Sequence, residues 1–440
     1  MLEVIYFYLR LIMRSSNSLK PEAIAGWCLL NKPSFRFPSS ASSDRLIGFR
    51  SWIRVSRKLL TVIKNSTEKH EDGIHGFAVF DNFRSVKDIR LNHIRSNAAE
   101  VPTCLFFREE LSNASEKKRF SEALLLFFLM PILSIWCFFS SRRINIALLY
   151  DELAEATQLL RLLKIANIKT LYFFSPFEKD ANALYLLLKN EEVNITKIPS
   201  PNLLSIHHKQ VLTDTLVLSS PYQQDELEFL QGSIHTKNIQ HWLPEQFFSY
   251  RNVYGNCTVP DFKTIGYYSH ASWLRQQEDH ALLGAGDLES EIELLQVLFL
   301  FLKKHSDFNL TIFLHPREKK HVDFSQVEKY YQKHFNGLNF VFSDYEKSSA
   351  LLFNTVDIGI GAISTILFER LFVGFKTIFY PSRMKVFPVD RSVICKICAL
   401  DGESLEKIIL NASSLETGSY FNQTGLLKYT SQQWIKSEKQ

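Results

Sequence analysis

The residues best suited to chemistry lie at 313–321, "FLHPREKKH". An apolar run at 308–314 (FNLTIFL) ends in His315-Pro316, and Arg317, Glu318, Lys319, Lys320 and His321 follow at once. An imidazole beside a guanidinium suits a phosphate: arginine binds it through paired charge-assisted N–H bonds, and histidine adds a donor. Cations at a helix start oppose its dipole unless an anion is present. The plain alternative is that His315 caps a helix opening at Pro316 and the cations are solvated.

A second candidate is 359–369, "GIGAISTILFE". A strand ends at Gly359-Ile360-Gly361, and Ser364 and Thr365 stand where a helix begins. Small residues such as Gly361 let a ligand approach the backbone, and free amides and hydroxyls at a helix start make an anion site. Glu369, one turn on, is placed to reach a ribose diol. Ordinary N-capping by Ser364, with Glu369 in solvent, competes with this reading. A third is 150–157, "YDELAEAT", where Asp151, Glu152 and Glu155 crowd a strand end and the first turn of a helix. They satisfy the helix dipole. Asp151 or Glu152, at the carboxyl end of a strand, also suits a general base toward a sugar hydroxyl. The fourth is 266–275, "GYYSHASWLR". Gly266, Ser269, His270 and Ser272 make a small polar loop suited to a phosphate or an acceptor, with Ser269 its expected ligand-binding member and Trp273 directed to the core. "GAGD" at 284–287 lacks the third glycine of a dinucleotide fingerprint and does not follow a strand.

The elements that must position these residues alternate along the chain. Strands are expected at 76–82, 103–107, 144–150, 169–175, 192–200 and 213–221, with helices at 151–164 and 177–189. After turn-rich residues at 252–262 a second series begins: strands at 263–269, 308–314, 337–343, 355–361 and 376–382, and helices at 289–304 and 364–374. Such alternation predicts parallel sheets covered on both faces. The expected fold is α/β, two Rossmann-like domains facing a central cleft: 1–255, carrying an apolar segment at 123–141, and 262–425. Ligands of such sheets sit beyond the carboxyl ends of the strands, so the cleft is the expected site.

Bulk properties narrow the classes. The 440 residues suffice for two or three domains, with 46% hydrophobic and 22% charged residues, an ordinary globular balance. The net charge of +5 is too weak to argue for nucleic acid. It favours small anions or a membrane surface. The six cysteines form no disulfide framework, and Cys395-x-x-Cys398 lacks the second pair of ligands a zinc site needs, so no metal is expected. The segment 123–141 (ALLLFFLMPILSIWCFFSS) is uncharged and close to the roughly 20 residues of a bilayer span. Basic residues on both flanks leave its orientation open, and a buried helical hairpin or an interfacial contact is expected over a crossing. The apolar N-terminus is broken by Glu3 and Arg10, a poor signal peptide. A cytoplasmic chain, peripheral on the inner face of the membrane at most, is the expectation.

His315-Pro316 after a strand, with a Gly/Ser/Thr turn opening a helix about fifty residues later, resembles the GT-B glycosyltransferases that use CMP-activated acidic sugars. These are the bacterial sialyltransferases, polysialyltransferases and Kdo transferases of capsule and lipopolysaccharide synthesis. The resemblance covers roughly 144–425. It implies that His315 and Pro316, with Arg317 beside them, and Ser364 with Thr365 meet the donor's phosphate. It implies that Asp151 or Glu152 deprotonates the acceptor, and that no metal or other cofactor is needed beyond a CMP-linked sugar. The implied partners are that donor and a glycan or glycolipid acceptor. Polyol-phosphate transferases using CDP-glycerol resemble the C-terminal part nearly as well. A nucleotide-sugar epimerase shares the architecture, and a non-catalytic membrane-associated assembly factor for surface polysaccharide would keep both α/β units.

Overall fold

The computed structural model describes residues 2–13, 76–81, 87–98, 104–107, 156, 159–160, 162–164, 167–174, 181–198, 211–224, 234–243, 250, 253–254, 263–278, 287–321, 323–362, 364–383 and 394–431. The chain divides into two compact units. The first takes Met1–Ser200, His207–Leu218 and Leu230–Gln240, and the second Pro201–Ile206, Ser219–Phe229 and His241–Gln440. The division falls earlier than the 252–262 linker read from turn residues. The reason lies in aromatic packing inside the second unit. Tyr222 stacks on Tyr429 at 4.7 Å and meets Phe368 edge-on. Tyr250 and Tyr254 pack on Phe353, and Tyr254 also on Phe375.

The first unit holds helix α1 (Leu2–Met13), strand β1 (Gly76–Asp81), α2 (Lys87–Asn97), β2 (Cys104–Phe107), β3 (Ile168–Phe173), α3 (Ala181–Lys189), β4 (Asn194–Lys197), β5 (Val211–Leu212), β6 (Thr215–Leu218), β7 (Ile234–His235) and β8 (Asn238–His241). Its larger sheet has the order β2-β1-β3-β4-β6-β8, and the pairs from β2 through β6 are parallel. Residues 156, 159–160 and 162–164 are helical, with Ala156, Leu159 and Leu163 buried as the 3.6-residue period requires. The strand expected at 144–150 and the apolar segment 123–141 lie outside the described residues. Among the described residues no helix is long and apolar enough to cross a membrane.

The second unit is a five-stranded parallel sheet: β9 (Thr264–Tyr268), β10 (Asn309–Phe313), β11 (Phe340–Phe342), β12 (Ile358–Gly361) and β13 (Thr377–Phe379), in the order β11-β10-β9-β12-β13. Between them run α4 (Ser272–Glu278), α5 (Asp287–Lys304), α6 (Pro316–Lys319), α7 (Phe324–His334) and α8 (Thr365–Val373), and α9 (Gly402–Ser413) and α10 (Thr417–Thr424) follow. Every residue of β12 and β13 is buried, the mark of a sheet covered on both faces. Helix α5 buries Leu294, Leu295, Leu298, Phe301 and Leu302, a single helical face. The order reverses between β9 and β12, so the crevice beyond their carboxyl ends is where such a sheet binds ligands.

Two glycines are fixed by close approach. A Cβ on Gly361 would lie 2.9 Å from the Tyr268 carbonyl oxygen and 2.9 Å from Leu367 Cδ1. One on Gly359 would lie 2.5 Å from both Cδ and Nε of Arg370. Arg370 is fully buried, and its guanidinium donates to the carbonyls of Phe353, Val356, Asp357 and Lys376 and to the Tyr268 hydroxyl. That one side chain ties the approach to β12 to the turn before β13.

Candidate anion site at the carboxyl ends of three adjacent strands

Beyond the carboxyl ends of three neighbouring strands, β10, β9 and β12, the chain presents polar residues: His315, Ser269-His270 and Ser364-Thr365. After β10, Leu314 leads to His315, which caps α6 in a reciprocal box. His315 Nδ1 accepts from the Arg317 amide at 3.1 Å, and Glu318 Oε2 accepts from the His315 amide at 2.8 Å. Pro316 takes the first helical position, where its missing N–H is no loss. The capping alternative raised by the sequence is therefore observed, and it uses only one imidazole nitrogen.

Capping decides the tautomer. Burial, with Arg275, His270 and Arg317 adding to it, pushes the His315 imidazole down to about 3, so it is neutral near pH 7 and carries one N–H. Because Nδ1 is the acceptor, that hydrogen sits on Nε2. Nε2 lies 3.3 Å from Arg275 Nη2, another donor. With Nε2 carrying the hydrogen, both groups are donors, and an acceptor lying beside the pair could be bound by both.

After β9 the loop 269–272 supplies the second element. Ala271 takes a left-handed backbone (φ 54). The buried carboxylate of Glu291 on α5 holds the loop closed, accepting from the Tyr267 hydroxyl at 2.7 Å and from the His270 and Ser272 amides at 2.9 and 2.7 Å. Ser269 is buried in this latch: its hydroxyl donates to Glu291 at 3.3 Å and accepts from the Ala271 amide at 2.9 Å. The structure thus gives Ser269 partners that hold the loop itself. His270 Nε2 accepts from Arg275 Nη1 at 2.9 Å, and its Nδ1 contacts the Ser272 hydroxyl at 3.2 Å. Arg275 was not singled out from the sequence. The only signal was its place five residues after His270 on the helix that follows the loop.

After β12 comes the start of α8. Ser364 is its N-cap, yet makes no side-chain capping bond. The competing reading, capping by the Ser364 side chain, is not observed, and the first amides of α8, which have no partner within the helix, get no cap from this side chain. Ser364 is half-buried and Thr365 exposed. Glu369 is buried rather than solvated, and its Oε2 accepts from the Tyr250 hydroxyl at 2.6 Å. Asp151 and Glu152, the expected base, lie outside the described residues.

Among the described residues no group of three or more His, Cys, Asp or Glu could hold a metal ion. Cys395 and Cys398 stand at the two ends of a short 3-10 turn.

No protein-family model matches the chain, and no curated protein does. Solved structures do. The UDP co-structure of MnaA from S. aureus is similar with a TM-score of 0.45 and 9% identity, over 81% of this chain and 93% of that one. UDP-GlcNAc 2-epimerase from Neisseria meningitidis bound to UDP-GlcNAc gives 0.40 and 10%, over 80% and 94%. Sucrose-phosphate synthase from Thermosynechococcus elongatus gives 0.41 and 9%, over 83% and 97%.

Proposed function

We propose that the chain is an enzyme acting on a nucleotide-activated sugar, a metal-independent glycosyltransferase whose second unit holds the donor's phosphate. The observation that carries this reading is the pairing of Arg275 Nη2 with the Nε2–H of neutral His315, 3.3 Å apart at the carboxyl end of the sheet. The first amides of α8, which the Ser364 side chain does not cap, would supply further donors beyond β12.

Glycosyl transfer puts the strain on these donors at the right moment. As the bond from the anomeric carbon to the phosphate oxygen breaks, negative charge builds on the leaving nucleotide. Fixed donors aimed there stabilise the transition state more than the bound donor, and losing one costs about 10²–10³ in rate in comparable sites. The acceptor hydroxyl attacks the anomeric carbon, and Asp151 or Glu152 takes its proton under the resemblance to CMP-sugar transferases. A phosphodiester carries one negative charge. The Arg275 guanidinium beside a neutral imidazole, with Arg317 close by, can balance it, and a CMP-linked acidic sugar is the donor this reading takes. The acceptor would be a glycan or glycolipid.

Thermal unfolding with CMP, CDP, UDP and GDP tests this. A nucleotide at 100 times its dissociation constant stabilises by about 2.7 kcal/mol. Stabilisation of the wild type by CMP, lost in Arg275→Ala, supports a CMP-sugar donor. Stabilisation by UDP alone keeps the phosphate site and replaces the donor class. Stabilisation by none of the four removes the reading. Conversion of the sugar without an acceptor would move the reaction to epimerisation.

A further inference from the structure

Glu318 lies directly behind His315, and the reading of its role rests on the phosphate site proposed above. We infer that Glu318 is a positioning residue: its ionised carboxylate locks the cap that keeps the His315 Nε2–H aimed at the ligand, and protonation of that carboxylate loosens the site. The geometry is specific. Glu318 is fully buried, and all its observed partners are donors. Oε2 accepts from the His315 amide at 2.8 Å, and Oε1 accepts from Trp273 Nε1 at 2.9 Å and from the Tyr331 hydroxyl at 2.8 Å. A carboxylate matches such a shell. A carboxylic acid does not, because its proton must sit on an oxygen already facing an N–H or O–H. Tyr331 can turn its hydroxyl round to accept. The Trp273 and His315 N–H groups cannot.

The groups facing Glu318 come from every element packed on it. They are Glu291 from α5, Trp273 from α4, the His315 amide at α6, Tyr330 and Tyr331 from α7, and Ser269 from the loop after β9. Burial first and Glu291 second push Glu318 up to about 7, against the bonds from Trp273, the His315 amide and Ser269 that favour the anion. His315, held down to about 3, does not change charge near neutrality. A site whose histidine is silent near pH 7 therefore acquires a pH response through the carboxylate behind it.

The experiment is calorimetric titration of the full chain with a CMP-linked and a UDP-linked sugar, whose phosphoesters do not titrate, from about pH 5.5 to 8.5. Wild type, Glu318→Gln and Trp273→Phe are compared. The expected wild-type affinity falls about three- to tenfold as pH drops through the neutral range. Glu318→Gln binds about tenfold more weakly at the alkaline end, and its profile is flat. Trp273→Phe removes a donor that favours the anion, so it moves the wild-type midpoint to higher pH, a result that does not depend on the glutamine variant folding. The inference is overturned if the glutamine and wild-type profiles superimpose, or if Trp273→Phe leaves the midpoint in place. Absence of binding at every pH overturns the phosphate reading itself and this inference with it, an outcome distinct from binding that ignores pH.

Discussion

The guanidinium of Arg275 faces His315 Nε2 at 3.3 Å while the other imidazole nitrogen of His315 accepts the Arg317 amide at 3.1 Å. Under the proposed reading one ring serves two purposes through two atoms, and they can be separated. Asparagine is a good N-cap and has no equivalent of the Nε2–H. His315→Asn should leave the unfolding midpoint in denaturant nearly unchanged, within about 0.5 kcal/mol, and weaken nucleotide binding about tenfold. A large stability loss with intact affinity would assign His315 to capping alone.

Arg275 makes a sharper case, because a bond from its guanidinium to an anion would be charge-assisted. Arg275→Ala should lower nucleotide affinity about ten- to hundredfold, and Arg275→Lys should recover only part of it, since lysine lacks the planar fork that spans His270 and His315. Equilibrium titration of both variants reads this directly. Full recovery by lysine would mean that only the charge matters.

Ser364 should show effects of opposite sign. Its side chain makes no capping bond, so Ser364→Ala should change stability by less than about 0.5 kcal/mol. Ser364→Asp adds an acceptor and a negative charge at the start of α8, worth about 0.5–2 kcal/mol of stability. The same charge repels a phosphate. The aspartate variant should therefore melt higher and bind nucleotide more weakly. Tighter or unchanged binding would remove α8 from the site.

The dependence of stability on pH follows from two groups with opposite slopes. The folded state lowers His315 from 6.5 to about 3, so the unfolded chain binds the proton first and stability is lost as pH falls below about 6.5. The folded state raises Glu318 from 4.5 to about 7, so its contribution is full below about 4.5 and is lost as pH rises through about 7, a difference on the order of 3 kcal/mol. Chemical denaturation at a series of pH values should show Glu318→Gln gaining on the wild type steadily between those limits. A constant difference would mean that Glu318 does not take up a proton on folding.

Gly359 and Arg370 should behave as a coupled pair. A methyl group at 359 meets Arg370 Cδ and Nε at 2.5 Å, and Arg370 satisfies four buried carbonyls. Gly359→Ala should destabilise by about 1–3 kcal/mol and Arg370→Met by about 3–5 kcal/mol. The double variant should lose less than the sum, because the methyl group then has no guanidinium to displace. Additive losses would show that the two do not share one space.

Local pattern was enough for much of the second unit. Short, mostly apolar runs mark β9, β10 and β12, the 3.6-residue period marks α5 and α8, and His315 and Gly361 are recognisable as strand ends because a polar or small residue cuts off such a run. These are properties of a few consecutive residues. Tertiary structure decided what those ends meet. The sheet order sets β9 between β10 and β12, which brings Arg275 to His315 and puts the start of α8 at the end of the strand on the other side of β9, although these residues lie far apart in the chain. The roles of Glu291 and Glu318 were equally hidden. Neither is marked by its local sequence, and each is a buried latch because tyrosine and tryptophan donors reach it from other elements. Tyr222 and Tyr250, which looked like part of the first unit, found their aromatic partners beyond residue 350. Periodicity records which side of an element avoids water. Which partner it meets is fixed by strand order and packing, which no short window of sequence contains.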